Sequence, residues 1–262
     1  MNAEKKKAIV ILSEGRSGTT YLASRINGVG TMGKIDEWFD LYPAATGTPA
    51  EVFEDLYSQV IAAGSTANGQ LGLKLFPRHL YAIQSFYGVD LLARLAEDYE
   101  LLLLFIERRD RALQAISFSR AMQSGQWTSA ATRMAAKPVT YDFAQLCRLY
   151  FLIGESYDFW RSYLAAKQLD HLHAYYEDML TSDDVLRACA AFSGEPVDVF
   201  PAAETAVQRT ESSHALKERF LAELANSNIM AHHAKVQMPE RSVKNVLRLA
   251  LGRRVKPLPF SY

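Results

Sequence analysis

The chain lacks any excess of charge. Its 262 residues carry 29 Lys plus Arg against 29 Asp plus Glu, a formal net charge of zero. A dedicated nucleic-acid binder normally shows a basic excess, so no nucleic-acid partner is expected. Any anion must be held by local geometry and not by a global field. Cysteine is scarce. Cys147 and Cys189 are too few for a disulfide framework, and their apolar, helix-like neighbours suggest buried free thiols. Long hydrophobic runs are missing too: no window approaches the roughly 18 uncharged residues of a membrane span. Lys5-Lys6-Lys7 is followed by the short apolar stretch Ala8 to Leu12, which soon meets Glu14 and Arg16. A secretory leader needs a longer apolar region, so the expected location is cytoplasmic. Repeats, low-complexity tracts and long linkers are absent. The 49% hydrophobic content without net charge excludes a disordered chain. The length fits one domain over 1–262, with 241–262 as a basic appendage.

What is present is an alternation of short apolar runs and helical periods. Ala8 to Leu12, Leu71 to Phe76, Leu101 to Ile106 and His171 to Tyr176 read as strands. Helices are expected over Thr19 to Asn27, ended by Gly28 and Gly30, and over Ala50 to Ala63, with Thr48 as cap and Pro49 at the first position. Others are expected over Arg111 to Gln123, Tyr141 to Ala166, Ser182 to Phe192 with Ser182 as cap, Ser212 to Asn226, and Arg241 to Leu251. Gly194 to Arg209 reads as a loop. Short, unalternating strands between helices predict an α/β fold: a P-loop-like central parallel sheet flanked by helices on both faces.

The strongest local signal is Ser13-Glu-Gly-Arg-Ser-Gly-Thr-Thr20, between the first strand and the first helix. In a parallel α/β fold this is the carboxyl end of a strand, where ligands bind. Gly15 and Gly18 let backbone amides approach an anion, and the helix start adds unpaired N–H groups and partial positive charge. Ser17, Thr19 and Thr20 add hydroxyls, and Arg16 supplies the cation. A nucleotide triphosphatase loop needs Lys after the last Gly; here that residue is Thr19. The loop therefore suits one phosphate bearing one more group. A second anion site is suggested where the third strand ends at Glu107-Arg108-Arg109-Asp110. Ser117 follows Arg109 by eight residues, and an Arg fork plus a Ser hydroxyl can converge on one oxyanion.

Gly15-Arg-Ser-Gly-Thr-Thr20 resembles the 5′-phosphosulfate loop of sulfotransferases, and Arg109 with Ser117 resembles that family's 3′-phosphate site. Within the superfamily the chain resembles the bacterial carbohydrate sulfotransferases of the trehalose sulfotransferase type. Arg108-Arg109-Asp110 with Gln114-Ala115 and Ser117 matches their R-R-D-x-x-x-Q-A-x-S. Arg120-Ala121, Gln123 and Trp127 match the next segment, and Glu155, Trp160 and Tyr176-Glu177-Asp178 match later ones. Gln208-Arg209 resembles a late Arg segment placed near the donor. The likeness spans roughly Ile9 to Phe220; Glu14 and Gly15 before the loop Arg, and Thr210-Glu211 after Arg209, depart from the pattern. The resemblance implies 3′-phosphoadenosine-5′-phosphosulfate (PAPS) as co-substrate, no metal, and a carbohydrate or glycolipid acceptor.

Asp36-Glu37-Trp38-Phe39 resembles the family's Glu-Phe-Phe segment, which makes Glu37 the implied general base, with Asp36 and His79 as alternatives. Trp38 and Phe39 would wall the site, and Lys74, Arg120, Gln123 and Trp127 are candidates for acceptor contacts. Arg16 would stabilise the departing 5′-phosphate, and Arg209 would join the donor site. His232-His233 lacks the convergent ligands of a zinc centre. Beyond Glu240 the chain carries Arg241, Lys244, Arg248, Arg253, Arg254 and Lys256 among apolar residues. This basic amphipathic pattern allows peripheral contact with an anionic membrane, although a terminal helix docked on the domain is the commoner outcome. A homodimer is compatible with the sequence. Two rivals are a P-loop-type small-molecule kinase, which would need the missing Lys, and a non-catalytic nucleotide-binding scaffold.

Overall fold

The computed structural model describes residues 5–40, 47–127, 139–204 and 211–227. Four parallel strands, β1 (Lys6–Leu12), β2 (Leu71–Leu75), β3 (Tyr99–Glu107) and β4 (Leu172–Tyr175), lie in the order β2-β1-β3-β4. β1 and β3 are central, and their stretches Ala8–Leu12 and Leu103–Glu107 are buried, which explains why those parts of the sequence are largely apolar runs. Successive side chains of β1 enter opposite layers. Ala8, Val10 and Leu12 join one cluster with α2 (Pro49–Gly64), α3 (Pro77–Tyr87), α4 (Leu91–Asp98) and α6 (Phe143–Ala166). Ile9 and Ile11 join another with α1 (Thr19–Val29) and α8 (Asp184–Ser193). Helices thus cover both faces, as expected. Full burial of one such Ile or Leu is worth about 1.5–3 kcal/mol. A third cluster joins α5 (Arg111–Ser124) and α6 to Phe220 of α9 (Glu211–Asn226).

Several boundaries follow from local chemistry. At α2, Thr48 accepts from the Glu51 amide and the Glu51 carboxylate accepts from the Thr48 amide, a reciprocal cap. Gly28 is helical, and α1 ends instead at Gly30, in the left-handed region at φ 84°. β4 stops at Tyr175, and Tyr176 opens the short α7 (Tyr176–Met179). α8 begins two residues later than expected: Ser182 Oγ accepts from the Asp184 amide, and Asp183 is the cap residue. The largest difference from the sequence reading is α3 and α4, which occupy a stretch given no element there. Their signals were Pro77 at the first position, Gly88 as closing residue and Asp90 capping Ala93. The helix expected over Arg241 to Leu251, and the 241–262 appendage, lie outside the described residues. Cys147 and Cys189 are buried and free; burial pushes the Cys189 thiol up to about 12. No helix among the described residues is long and apolar enough to cross a membrane.

One glycine positions the site. A Cβ on Gly72 would fall 2.8 Å from the Ile35 amide nitrogen, so only glycine lets the segment 34–36 run against β2. The Lys74 amide bonds the Asp36 carbonyl at 3.0 Å, and the Lys34 amide bonds the Gly64 carbonyl at 2.8 Å. This strand-like attachment delivers Glu37 to the carboxyl end of β2, the same end of the sheet as the β1–α1 loop.

Candidate active site

The loop after β1 is built from the inside. Ser13 Oγ donates to the Ile106 carbonyl at 2.5 Å and lies 2.6 Å from Ser17 Oγ. Both serines are wholly buried. Ser17 therefore locks the loop through its side chain, and only its backbone can face an anion; the expectation of a donor-facing Ser17 hydroxyl is corrected. Trp160 Nε1 donates to the Ser13 carbonyl at 2.9 Å, and Ser156 Oγ donates to Glu14 Oε2 at 2.7 Å. Gln114 Nε2 donates to the Gly15 carbonyl at 2.8 Å, while Tyr157, whose hydroxyl donates to Gln114 Oε1 at 2.8 Å, fixes that amide. Gly15 lies against Phe118: an added Cβ would come 3.0 Å from its ring.

Arg16 adopts φ 67° and Gly18 φ 83°. For Arg this left-handed conformation is strained, costing roughly 1–2 kcal/mol. Gly18 also touches Tyr176, whose ring would sit 2.0 Å from an added Cβ. Gly18 caps α1 with no side-chain hydrogen bond, and the first turn carries no acid. α2, α4, α5 and α6 each start with a side chain accepting from a first-turn amide, whereas α3, like α1, has neither a side-chain cap bond nor a first-turn acid. The first amides of α1 thus have no side-chain cap, the arrangement of a helix start that can face an anion. Arg16 Nε donates to Ser117 Oγ at 3.0 Å, and its Nη1 donates to the Trp127 carbonyl. Arg108 Nη1 donates to the Arg16 carbonyl at 3.3 Å. Burial and then the Arg108 guanidinium push Arg16 below its usual arginine range. Two cations held this closely favour an anion between them.

Glu37 sits in a lattice of charge. Lys74 Nζ is 2.9 Å from its Oε1, and Arg78 Nη2 donates to its Oε2 at 3.0 Å. Lys74, a candidate acceptor contact by sequence, is only 4% exposed and serves Glu37. Asp36 Oδ1 accepts from the Glu37 amide at 2.8 Å; it supports Glu37's backbone. His79 is wholly buried; its Nδ1 accepts from the Phe76 amide at 3.0 Å and its Nε2 lies 2.7 Å from Asp40 Oδ1. The ring proton is therefore on Nε2 and is given to Asp40. Burial pushes His79 below its ordinary value, with Arg78 adding to that. His79 has no lone pair for an acceptor hydroxyl, which removes it as an alternative base. Burial opposes ionisation of Asp40, but the His79 hydrogen bond and Arg78 outweigh it and hold this carboxyl below the usual range. Glu37, Asp40 and His79 bring ligand atoms within 4.8 Å of one another. A metal there would have to displace the His79 Nε2 proton beside Arg78 and Lys74, so the donor set fits a metal poorly.

Other expected residues fall elsewhere. Arg109 makes a two-pronged pair with Asp178 at 2.6 and 2.7 Å and stacks over Tyr175. Ser117 holds Arg16. The expected convergence of Arg109 and Ser117 is therefore absent from this conformation, because each has a nearer partner. Phe39 is completely buried in the core and cannot wall a site, while Trp38 is half-buried with its Nε1 on the Lys34 carbonyl. Arg120 bonds Ser213 of α9 at 2.7 Å. Gln123 bonds the Thr140 amide and carbonyl and Gln145, which makes it a structural clamp. Trp127 is 48% exposed, edge-on to Phe118, and remains accessible to an acceptor. Thr19 is buried and Thr20 half-buried. Arg209 lies outside the described residues, as do His232 and His233. The sequence gives no site role to Arg78, Ser156, Tyr157 or Glu14. Pro77 at a helix start would have placed Arg78; the other three depend on contacts between distant segments.

An anion loop at the end of a central parallel strand, two arginines beside it and a carboxylate held by cations at the neighbouring strand end define an α/β enzyme that handles anionic groups. The chain belongs to the Stf0 sulphotransferase family, whose sequence profile matches residues 8–223. It is thus a sulfotransferase. Among solved structures it is similar to a sulfotransferase from Alicyclobacillus acidocaldarius, at 14% identity and TM-score 0.41, covering 88% of this chain and 99% of that one. It is also similar to the sulfotransferase domain of the Synechococcus PCC 7002 olefin synthase, at 14% identity and TM-score 0.38, covering 96% of each chain. A search of curated proteins finds no match.

Proposed function

We propose that this sulfotransferase takes its sulfuryl group from PAPS and delivers it in line to a hydroxyl of a carbohydrate or glycolipid, with Glu37 as general base. The observation that supports it most is the α1 start. It has no side-chain cap and no first-turn acid, Arg16 stands in its loop, and Arg108 at the end of β3 bonds the loop through the Arg16 carbonyl. These groups suit the 5′-phosphosulfate end of the donor. Glu37 accepts the hydroxyl proton as the acceptor oxygen bonds to sulfur. The bond from sulfur to the 5′-phosphate oxygen breaks, and adenosine 3′,5′-bisphosphate leaves with its new negative charge facing the loop amides and Arg16.

Arg109 and Ser117 would take the 3′-phosphate. Ser117 accepts from Arg16 and keeps its own hydroxyl proton to give. Arg109 would trade Asp178 for phosphate, and because both side chains are at least half exposed, the exchange opposes only a screened ion pair. Labelled sulfate supplied as PAPS, with a panel of sugars, glycolipids and lipopolysaccharide, tests this reading. Transfer to a hydroxyl acceptor, far slower from adenosine 5′-phosphosulfate, is expected. No transfer to any member, or equal rates from both donors, would contradict it.

A further inference from the structure

We propose that Arg78 is a positioning residue that fixes the Glu37 carboxylate for reaction and ties it to the donor loop through Glu14. This rests on the reading of Glu37 as base. Arg78 stands in the first turn of α3, directly after Pro77, whose ring restricts the backbone. Its guanidinium lies 4.3 Å over the Phe76 ring, and the side chain is 18% exposed, so its orientation is set by packing. One nitrogen, Nη2, donates to Glu37 Oε2 at 3.0 Å and reaches Asp40 at 3.5 Å. The other, Nη1, is 3.8 Å from Glu14 Oε1. Glu14 is 3% exposed and immediately precedes the loop's Gly15 and Arg16; its Oε1 also accepts from the Gly15 amide at 2.7 Å.

The two oxygens of Glu37 are thereby assigned to different cations, Lys74 on Oε1 and Arg78 on Oε2. One cation alone would leave the carboxylate free to rotate about its bond to the chain. Two on separate oxygens fix its plane, and each oxygen retains a lone pair for a proton. The planar fork matters: Lys at 78 could reach Glu37 or Glu14 but could not span both. A shift of the loop toward a bound donor would be felt at Glu37 through one rigid group.

The test uses Arg78→Met, Arg78→Lys and Glu37→Gln in the full chain. Readouts are kcat and KM in the PAPS transfer assay and the Kd of adenosine 3′,5′-bisphosphate. Arg78→Met is expected to lose at least about tenfold in kcat while the bisphosphate Kd stays within about twofold. Millimolar methylguanidinium should restore part of that kcat. Arg78→Lys, which keeps charge in the pocket if Arg78→Met does not fold, should show a smaller loss of the same kind. Unchanged kcat in both variants, a loss confined to KM or to bisphosphate binding, or a kcat loss that methylguanidinium leaves untouched would overturn the inference. Turnover by Glu37→Gln would remove the base itself; an inactive Glu37→Gln beside a fully active Arg78→Met would overturn only the role of Arg78.

Discussion

The two halves of the site are held by different physics. The loop 13–20 is fastened from α5 and α6 by buried, mostly uncharged hydrogen bonds through Gln114, Ser156, Tyr157 and Trp160. The Glu37 segment is fastened largely by charge: Lys74 and Arg78 pair with Glu37, and the neutral His79 donates to the Asp40 carboxylate. Neutral hydrogen bonds fix the loop proposed to receive an anion, without adding charge of their own. Charged partners fix the carboxylate proposed as the general base. The contrast gives each half its own signature. Changes around the loop should cost stability, and changes around Glu37 should cost turnover.

The largest effect expected is on the charged half. Glu37→Gln should lower kcat by about 10²–10⁴-fold while bisphosphate binding and melting temperature stay near those of the parent, measured by transfer assay and calorimetry. A large loss of stability would mean Glu37 is chiefly structural. Next comes Gly18→Ala, which forces a Cβ into Tyr176 at a positive φ and should destabilise by about 2–4 kcal/mol, read from urea unfolding. A neutral result would show that the loop is looser than its packing implies. Ser156→Ala removes one partner of the buried Glu14 and should cost about 1–2 kcal/mol, with little change in kcat per folded molecule.

Glu14 crosses the boundary between the two halves, being a charge-bearing group inside the neutral one. Burial raises its carboxyl above the ordinary value, against the pull of Arg78, the Gly15 amide and Ser156. The folded protein therefore binds this proton more tightly than the unfolded chain. The stability it contributes is complete below the ordinary glutamate value and is lost as pH rises through the folded value. Glu14→Gln cannot ionise, so its melting temperature relative to the parent should climb with pH across that window. A difference that stays flat with pH would show that Glu14 is not shifted. This is the smallest effect of the four.

The fold was legible where chemistry is local. Strand runs such as Leu101 to Ile106, the Thr48-Pro49 start and the glycine loop all announce themselves within a few residues. α3 and α4 were not seen because their apolar residues, such as Leu80, Ile83, Leu91 and Leu95, fall in two short helices that give no long period. The loop and Glu37 were legible as motifs, but their partners were not. Ser156 lies 142 residues from Glu14, and Trp160 lies 147 from Ser13. Phe39 looked like a site wall because an aromatic beside a catalytic motif cannot be told from a core residue without its neighbours. Arg109 and Ser117 keep the spacing of a phosphate pair, yet spacing does not reveal that Asp178 and Arg16 compete for them.

The donor assignment is tested most directly by heat denaturation with three ligands at equal concentration: adenosine 3′,5′-bisphosphate, adenosine 5′-monophosphate and ATP with magnesium. A ligand bound only by the folded state raises the melting temperature in proportion to the logarithm of its concentration over Kd. The bisphosphate is expected to protect most, with the monophosphate well behind it and ATP with magnesium weaker than the bisphosphate. Equal protection by all three, or strongest protection by ATP with magnesium, would contradict a site built to grip both ends of a 3′-phosphorylated donor.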